Sequence, residues 1–195
     1  MTYGQFCGLA RALDVVGDKW TLLIVRELLA GARRYGELRA GLGPVPTNLL
    51  ADRLRRLEAD GVVARDADGG YRLTPHGERL REAVDALVRW STPLMAAGRG
   101  DDRFEPHWLV VGLAALLRPR GTGHRVQLEV EGEVLHVVDG ADGLEVGRGP
   151  VPGADAVVAL PGDLVLGVAT GHAELADAAV VRGSADAARA VLAPA

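Results

Sequence analysis

Residues Tyr35 to Leu73 run YGELRAGLGPVPTNLLADRLRRLEADGVVARDADGGYRL, and the punctuation of this stretch decides the fold. Tyr35 to Gly41 forms a short predicted helix with Leu38 inward. Gly41-Leu42-Gly43-Pro44 stops it, because glycine supplies a C-cap and proline cannot continue the turn. A second helix starts near Thr47, which is able to cap it. With Leu50 taken as the inward direction, Leu54 and Leu57 fall on the same stripe of a helix. Asn48, Asp52, Arg55 and Ala59 then lie on the opposite face, with Arg56 on one flank. Asp60-Gly61 closes the helix, and Val62 to Arg65, the Asp66 to Gly70 turn and Tyr71 to Leu73 make a tight hairpin.

A polar second helix followed by a tight hairpin is a winged helix-turn-helix, a fold that reads DNA with that second helix. Arginine bonds bidentately to guanine and asparagine to adenine, so Arg55 and Asn48 are the best candidate base readers. Asp52 would repel phosphate and is expected to orient an arginine or to accept from cytosine. Arg53 lies nearer the apolar edge, which suits a phosphate clamp or an ion pair within the domain. Thr47 can serve the helix N-terminus or a phosphate, because the N–H groups there already attract anions. Arg33 and Arg34, at the entrance to the first helix, are open to solvation or to phosphate. Arg56, on the flank of the second helix, and Arg65 and Arg72, on the hairpin strands, can reach phosphates.

The chain has 195 residues, enough for one large domain or two small ones, with 48% hydrophobic and 25% charged residues. That is ordinary for a chain able to bury a sizeable core. Charge is unevenly placed. Residues 1–100 carry 15 Lys+Arg against 12 Asp+Glu, and residues 101–195 carry 7 against 14. A net acidic protein argues against nucleic acid if it is one domain, but a mildly basic half joined to an acidic half permits a DNA-binding module with an acidic companion. The single cysteine, Cys7, makes no internal disulfide, which points to a reducing compartment. The first residues, MTYGQFCGLARALD, lack a signal-peptide pattern, and Trp108 to Leu117 is too short to span a bilayer. A cytoplasmic location is therefore expected.

Helices flank the central stretch. Leu9, Leu13 and Val16 form one stripe, Gly17-Asp18 breaks it, and Trp20 to Leu29 follows with Trp20, Leu23, Ile24 and Leu28 inward and Asp18 as N-cap. Thr74-Pro75 opens a long predicted helix to about Met95, because proline is tolerated at the first helical position. Leu80, Val84, Leu87, Val88, Trp90 and Leu94 give it an apolar face that is wide for so small a domain. Packing within the domain is one explanation. A homodimer made with the first helix of a partner is the other, and it would match a palindromic operator.

Cys7, Leu13-Asp14, Gly17 to Trp20, Arg34 to Leu38, Leu50 to Leu54, Leu57 to Gly61 and Tyr71 to Thr74 together resemble the HxlR-type transcriptional regulators, over about residues 6 to 95. The resemblance implies a bacterial, homodimeric winged-helix protein that binds double-stranded DNA. Two departures stand out. The family's Cys-Pro is Cys7-Gly8 here, and its longer, proline-containing wing is replaced by the short acidic Asp66 to Gly70 turn.

Residues 1–97 are thus read as a DNA-binding and dimerisation domain, 98–103 as a linker of glycine and charge, and 104–195 as a second domain. In the second domain, Trp108 to Leu117 is a buried helix ending at Pro119. Arg125 to Val130 alternates, with Val126, Leu128 and Val130 on one face, and further strands are expected at Val134 to Val138, Leu144 to Val146, Asp155 to Leu160 and Val180 to Arg182. Helices are expected from Pro161, over Glu174 to Ala178, and from Ser184. This is an α+β layer with an antiparallel sheet. Ala154 to Ala156, Thr170 to His172 and Ala179 to Gly183 resemble the sterol-carrier-protein-like fold over about residues 104 to 193. The resemblance implies an apolar cavity for a lipid-like or other hydrophobic small molecule, with Leu109, Leu113, Val126, Leu128, Val137, Leu164, Val168 and Leu175 as candidate lining. The same residues would equally serve to fill a core.

Catalysis finds little support. His76, His107, His124, His136 and His172 are scattered without metal-ligand spacing, and Gly147 to Pro150 is not a phosphate loop. No cofactor or metal is expected, and no enzyme. The expected function is a homodimeric DNA-binding regulator whose second domain senses a hydrophobic effector. The alternatives are a thiol switch at Cys7, or a lipid carrier whose winged helix does not bind DNA.

Overall fold

A computed structural model describes residues 2–95, 98–175 and 180–194. The chain separates into two compact units, Met1–Val84 and Asp85–Ala195. The division falls inside a helix, ahead of the 98–103 segment read as a linker, so residues 85–95 cohere with the second unit.

The first unit is built from α1 (Gly8–Val16), α2 (Thr21–Leu29), α3 (Tyr35–Leu42), α4 (Thr47–Ala59), β1 (Val63–Arg65), β2 (Tyr71–Leu73) and α5 (Pro75–Glu78). Its core includes the inward stripe of α4, with Leu50, Leu54 and Leu57 at most 1% exposed, and the buried Ile24, Val25, Leu28 and Leu38. Full burial of such side chains stabilises by about 2 kcal/mol each. β1 and β2 pair antiparallel from Val63 opposite Leu73 to Arg65 opposite Tyr71, and Arg33 adds a bridge to Tyr71. The hairpin turn is organised by Asp66, whose carboxylate accepts from the N–H groups of Asp68 and Gly70.

Three local expectations are corrected in this unit. Asp18 does not cap α2. The N-cap is Trp20, in the left-handed region at φ 80°, and the Asp18 side chain turns to α4 instead. Trp20 is half-buried and Leu23 is 40% exposed, so the buried stripe is Ile24, Val25, Leu28 and Leu29. Thr47 is the first helical residue of α4, with Pro46 as the N-cap and no side-chain cap. Proline fits there because its fixed φ leads into the helix while its missing N–H costs nothing.

The long helix expected from Pro75 to Met95 is broken. Thr74 caps α5 by accepting from the Gly77 N–H at 3.1 Å. The chain turns at Arg79-Leu80, resumes as α6 (Arg81–Ser91) and ends in a 3-10 turn over Thr92–Met95. Gly77 explains the tight fit of α5, since a Cβ there would lie 2.1 Å from the Val62 carbonyl oxygen.

The second unit contains α7 (Leu109–Leu116), β3 (Arg125–Val130), β4 (Glu133–Gly140), β5 (Gly143–Arg148), β6 (Ala156–Ala159), α8 (Gly162–Ala169), β7 (Val180–Gly183) and α9 (Ala185–Leu192). The strands form one sheet in the order β5-β4-β3-β6-β7. It is mixed, which corrects the expectation of an antiparallel sheet. β3 and β6 run parallel, with Val126 beside Ala156 and Leu128 beside Val158, and the other neighbours are antiparallel. The reason is the return path. After the β3-β4-β5 meander the chain crosses back and lays β6 on the free side of β3.

Alternation makes one sheet face the core: Val126, Leu128, Val130, Leu135, Val137 and Val158 are fully buried. α9 packs on β3, β4 and β6, and α7 on β5. The expected helix over Glu174 to Ala178 falls largely on residues 176–179, which lie outside the described residues. A buried charge in this core is fully satisfied. The Asp139 carboxylate accepts from the N–H groups of Arg120, Gly121 and Thr122 and from the Thr122 hydroxyl, at 2.8 to 3.0 Å.

Candidate nucleic-acid interface

α4 presents two faces of opposite character. Its buried stripe is Leu50, Leu54 and Leu57, while Thr47, Asn48, Arg55, Arg56 and Ala59 are exposed. Such a helix is fixed by its apolar side and offers the other side to solvent or to a groove. Asn48 and Arg55 stand on the offered side, as anticipated, and the Arg55 side chain is 71% exposed.

Asp52 organises the arginines around it. Its Oδ1 lies 3.2 Å from Arg55 Nη2, and its Oδ2 lies 3.2 Å from Arg53 Nη1 and 3.0 Å from Arg56 Nε. Orientation of arginines, one of the two roles left open for Asp52, is therefore present in the free protein. Arg53 is held further by Asp18 at 3.1 Å and its side chain is only 14% exposed. Its geometry is that of an ion pair within the unit. Asp18 is the member of this network that sequence reasoning missed as a partner, since nothing local marks a carboxylate that reaches 38 residues along the chain to Arg56.

The remaining candidates divide by exposure. Arg33 is drawn inward at 9% exposure, its backbone exchanging hydrogen bonds with Tyr71 at 2.9 and 2.7 Å. Arg34 is exposed at the start of α3, where its N–H donates to the Glu37 carboxylate. Arg65 is exposed and lies 3.1 Å from Glu58, with its guanidinium over the Tyr71 ring at 4.8 Å. Arg72 is exposed on β2. Arg34, Arg55, Arg65 and Arg72 are thus available to a polyanion, Arg56 is exposed but paired with Asp18 and Asp52, and Arg33 and Arg53 serve the fold.

Cys7 is exposed at the N-terminal end of α1. The N–H groups of Ala10 and Leu9 hold its thiol below the ordinary value.

In the second unit, the anticipated ligand residues Leu109, Leu113, Val126, Leu128 and Val137 are at most 1% exposed and belong to the core. Leu164 is half-buried. Val168 and Leu175 border an open recess of about 360 Å³, together with Gly171, Ala173, Glu174, Arg189 and Leu192. Among the described residues, no group of three His, Cys, Asp or Glu side chains is placed to hold a metal ion, and no helix is long and apolar enough to cross a membrane.

Comparison with known proteins agrees with the geometry of the first unit. The family model for the HxlR-like helix-turn-helix matches residues 15–98. An uncharacterized HTH-type transcriptional regulator of Mycobacterium tuberculosis is 38% identical over 96 residues, which are 46% of this chain and 60% of that protein. The chain therefore spans about three fifths of that relative's length. The Bacillus subtilis HTH-type regulator YvaP is 34% identical over 88 residues, covering 42% of this chain and 82% of that one. The Escherichia coli regulator YtfH is 35% identical over 94 residues, covering 45% and 75%. With a helix-turn-helix whose second helix is polar outside and apolar inside, and relatives covered over most of their own length, the chain belongs to the HxlR-like helix-turn-helix family.

Proposed function

We propose that the protein is a DNA-binding transcriptional regulator that acts as a homodimer on a palindromic operator and is not an enzyme. The observation that carries this is α4, whose apolar stripe is sealed in the core while Asn48 and Arg55 stand exposed on the opposite side. Arg34, Arg65 and Arg72 flank it as phosphate contacts, supplying affinity while Arg55 and Asn48 supply sequence preference, and Arg56 is exposed beside them, paired with Asp18 and Asp52. Dimerisation is supported by apolar side chains that a lone chain leaves in water. Phe6 and Leu9 are exposed in the first unit, and Leu87, Trp90 and Leu94, three and four residues apart on α6 and its end, are exposed in the second. A two-fold dimer would present two α4 helices to half-sites roughly one helical turn apart.

The second unit is proposed to be a sterol-carrier-protein-like domain that binds a hydrophobic small molecule. Its five-stranded sheet, with α9 packed on β3, β4 and β6 and α7 on β5, and the recess bordered by Val168, Leu175 and Leu192, support this reading. An effector bound there regulates only if it favours the DNA-competent or the incompetent dimer. A second mode of control is supported by Cys7, exposed and with its thiol held below the ordinary value. Modification of that thiol would then alter DNA binding in the wild type and not in Cys7→Ser.

Selection from a random duplex library with the full chain tests the proposal. Enrichment of an inverted repeat is expected. Recovery of no sequence above background, at low and moderate salt, would remove it.

A further inference from the structure

The turn between α1 and α2 is strained and charged. Trp20 holds φ at 80°, a region that costs a non-glycine residue on the order of 1 kcal/mol, so its surroundings must impose it. Asp18, two residues earlier, points its carboxylate at α4. Asp18 Oδ2 is 3.1 Å from Arg53 Nη1 and 3.5 Å from Arg56 Nη1, and Asp52 Oδ2 reaches the same two guanidiniums from within α4. The two arginines are not equivalent, because the Arg53 side chain is 14% exposed and that of Arg56 is 56% exposed. Arg53 is a fixed strut. Arg56 sits at the surface between two carboxylates.

From this geometry we infer that Asp18 is a positioning residue that withholds Arg56 from DNA, an inference that rests on α4 being the DNA-reading helix. Two carboxylates, Asp18 shared with Arg53 and Asp52 shared with Arg53 and Arg55, offset part of the Arg56 charge that a phosphate would seek and hold its guanidinium in place. Arg56 reaches a phosphate only by giving up Asp18, which keeps Arg53 as a partner and is left without an orphaned charge. Arg55 has Asp52 at 3.2 Å and is more exposed, so it meets a base edge against less competition than Arg56 meets. Asp18 thereby lowers sequence-independent affinity and leaves discrimination to Arg55 and Asn48.

The test is binding of the full chain to a random-sequence duplex of about 30 base pairs, followed by fluorescence anisotropy over a range of salt concentrations. Asp18→Asn is expected to bind about three- to tenfold tighter at roughly 0.1 M salt, with a log–log salt slope steeper by about 0.9 for each protomer bound, one further phosphate contact apiece. The gain should vanish in Asp18→Asn combined with Arg56→Gln. Arg56→Lys, whose ammonium cannot span both carboxylates, should gain in the same direction without touching the strained turn, which covers the case of an unfolded Asp18→Asn. Asp60→Asn, an equal change in net charge at the far end of α4, should not gain. Wild-type affinity and slope in both Asp18→Asn and Arg56→Lys, a gain that survives removal of Arg56, or an equal gain in Asp60→Asn would each overturn the inference while leaving DNA binding intact. A wild type that binds no duplex at any salt would instead remove the DNA-binding reading, and the inference with it.

Discussion

The Tyr35 hydroxyl donates to the Thr47 carbonyl at 2.9 Å, which ties the first residue of α3 to the first residue of α4. The bond fixes the entry of α4, the helix proposed to read DNA, and leaves the Thr47 hydroxyl unused. Tyr35→Phe should cost about 0.5–1 kcal/mol of stability, at the low end for a hydrogen bond because the site is exposed to solvent. Urea unfolding checks the first effect. A DNA affinity reduced by no more than a few fold would show that Tyr35 positions α4 and does not itself contact the duplex.

Asp139 makes stability depend on acid. Burial raises its pKa, but the N–H groups of Thr122, Arg120 and Gly121 and the Thr122 hydroxyl outweigh burial and hold the carboxyl at about 2. A group depressed on folding stabilises above its unfolded pKa, near 4, and that contribution is lost as pH falls from there through about 2. Asp139→Asn should unfold at lower urea than the wild type near neutral pH, by about 2 kcal/mol, with the difference shrinking across that window. An equal deficit at all pH values would mean that shape, not charge, holds the 120–122 loop.

Gly77 leaves no room for a side chain, since a Cβ would sit 2.1 Å from the Val62 carbonyl oxygen and 3.1 Å from Leu73 Cδ2. Gly77→Ala must push α5 away from the hairpin, at a cost of about 1–3 kcal/mol. Thermal unfolding reads the loss, and an unchanged midpoint would show that α5 is free to shift.

Much of the first unit was legible because its signals are local. Leu50, Leu54 and Leu57 announce their shared face by spacing alone, and Asp66 to Gly70 announces a turn by composition. What was not legible is non-local or rests on strain. Nothing in the segment around Asp18 says that its carboxylate will meet Arg53 and Arg56, and a tryptophan in the left-handed region breaks the rule that glycine marks such positions. The break at Arg79-Leu80 carries no glycine or proline, so helical spacing ran straight through it. In the second unit, alternation identified β3, and β6 was expected only as a further strand, but a strand's own sequence does not tell a parallel pair from an antiparallel one. Their parallel pairing is decided by the crossing that follows β5. The apolar candidates for a ligand site read the same way as core, and most of them proved to be core.

Trp90 and Leu94 are each 73% exposed and Leu87 is 48% exposed. If these side chains are covered by a second copy of the chain, Trp90→Glu should convert a dimer into single chains in sedimentation at micromolar concentration, and should weaken DNA binding by at least about tenfold through the loss of one half-site contact. A Trp90→Glu protein that sediments as the wild type would place the dimer contact elsewhere.

The central claim is that α4 reads bases, and Arg55 tests it most directly. The measurement is the ratio of affinities for a selected duplex and a scrambled duplex of equal length, in the wild type and in Arg55→Ala. A fall in that ratio of about tenfold or more, roughly 1–3 kcal/mol of lost discrimination, is expected, with a smaller change in affinity for the scrambled duplex. An unchanged ratio in a folded Arg55→Ala protein would contradict base reading by this helix face.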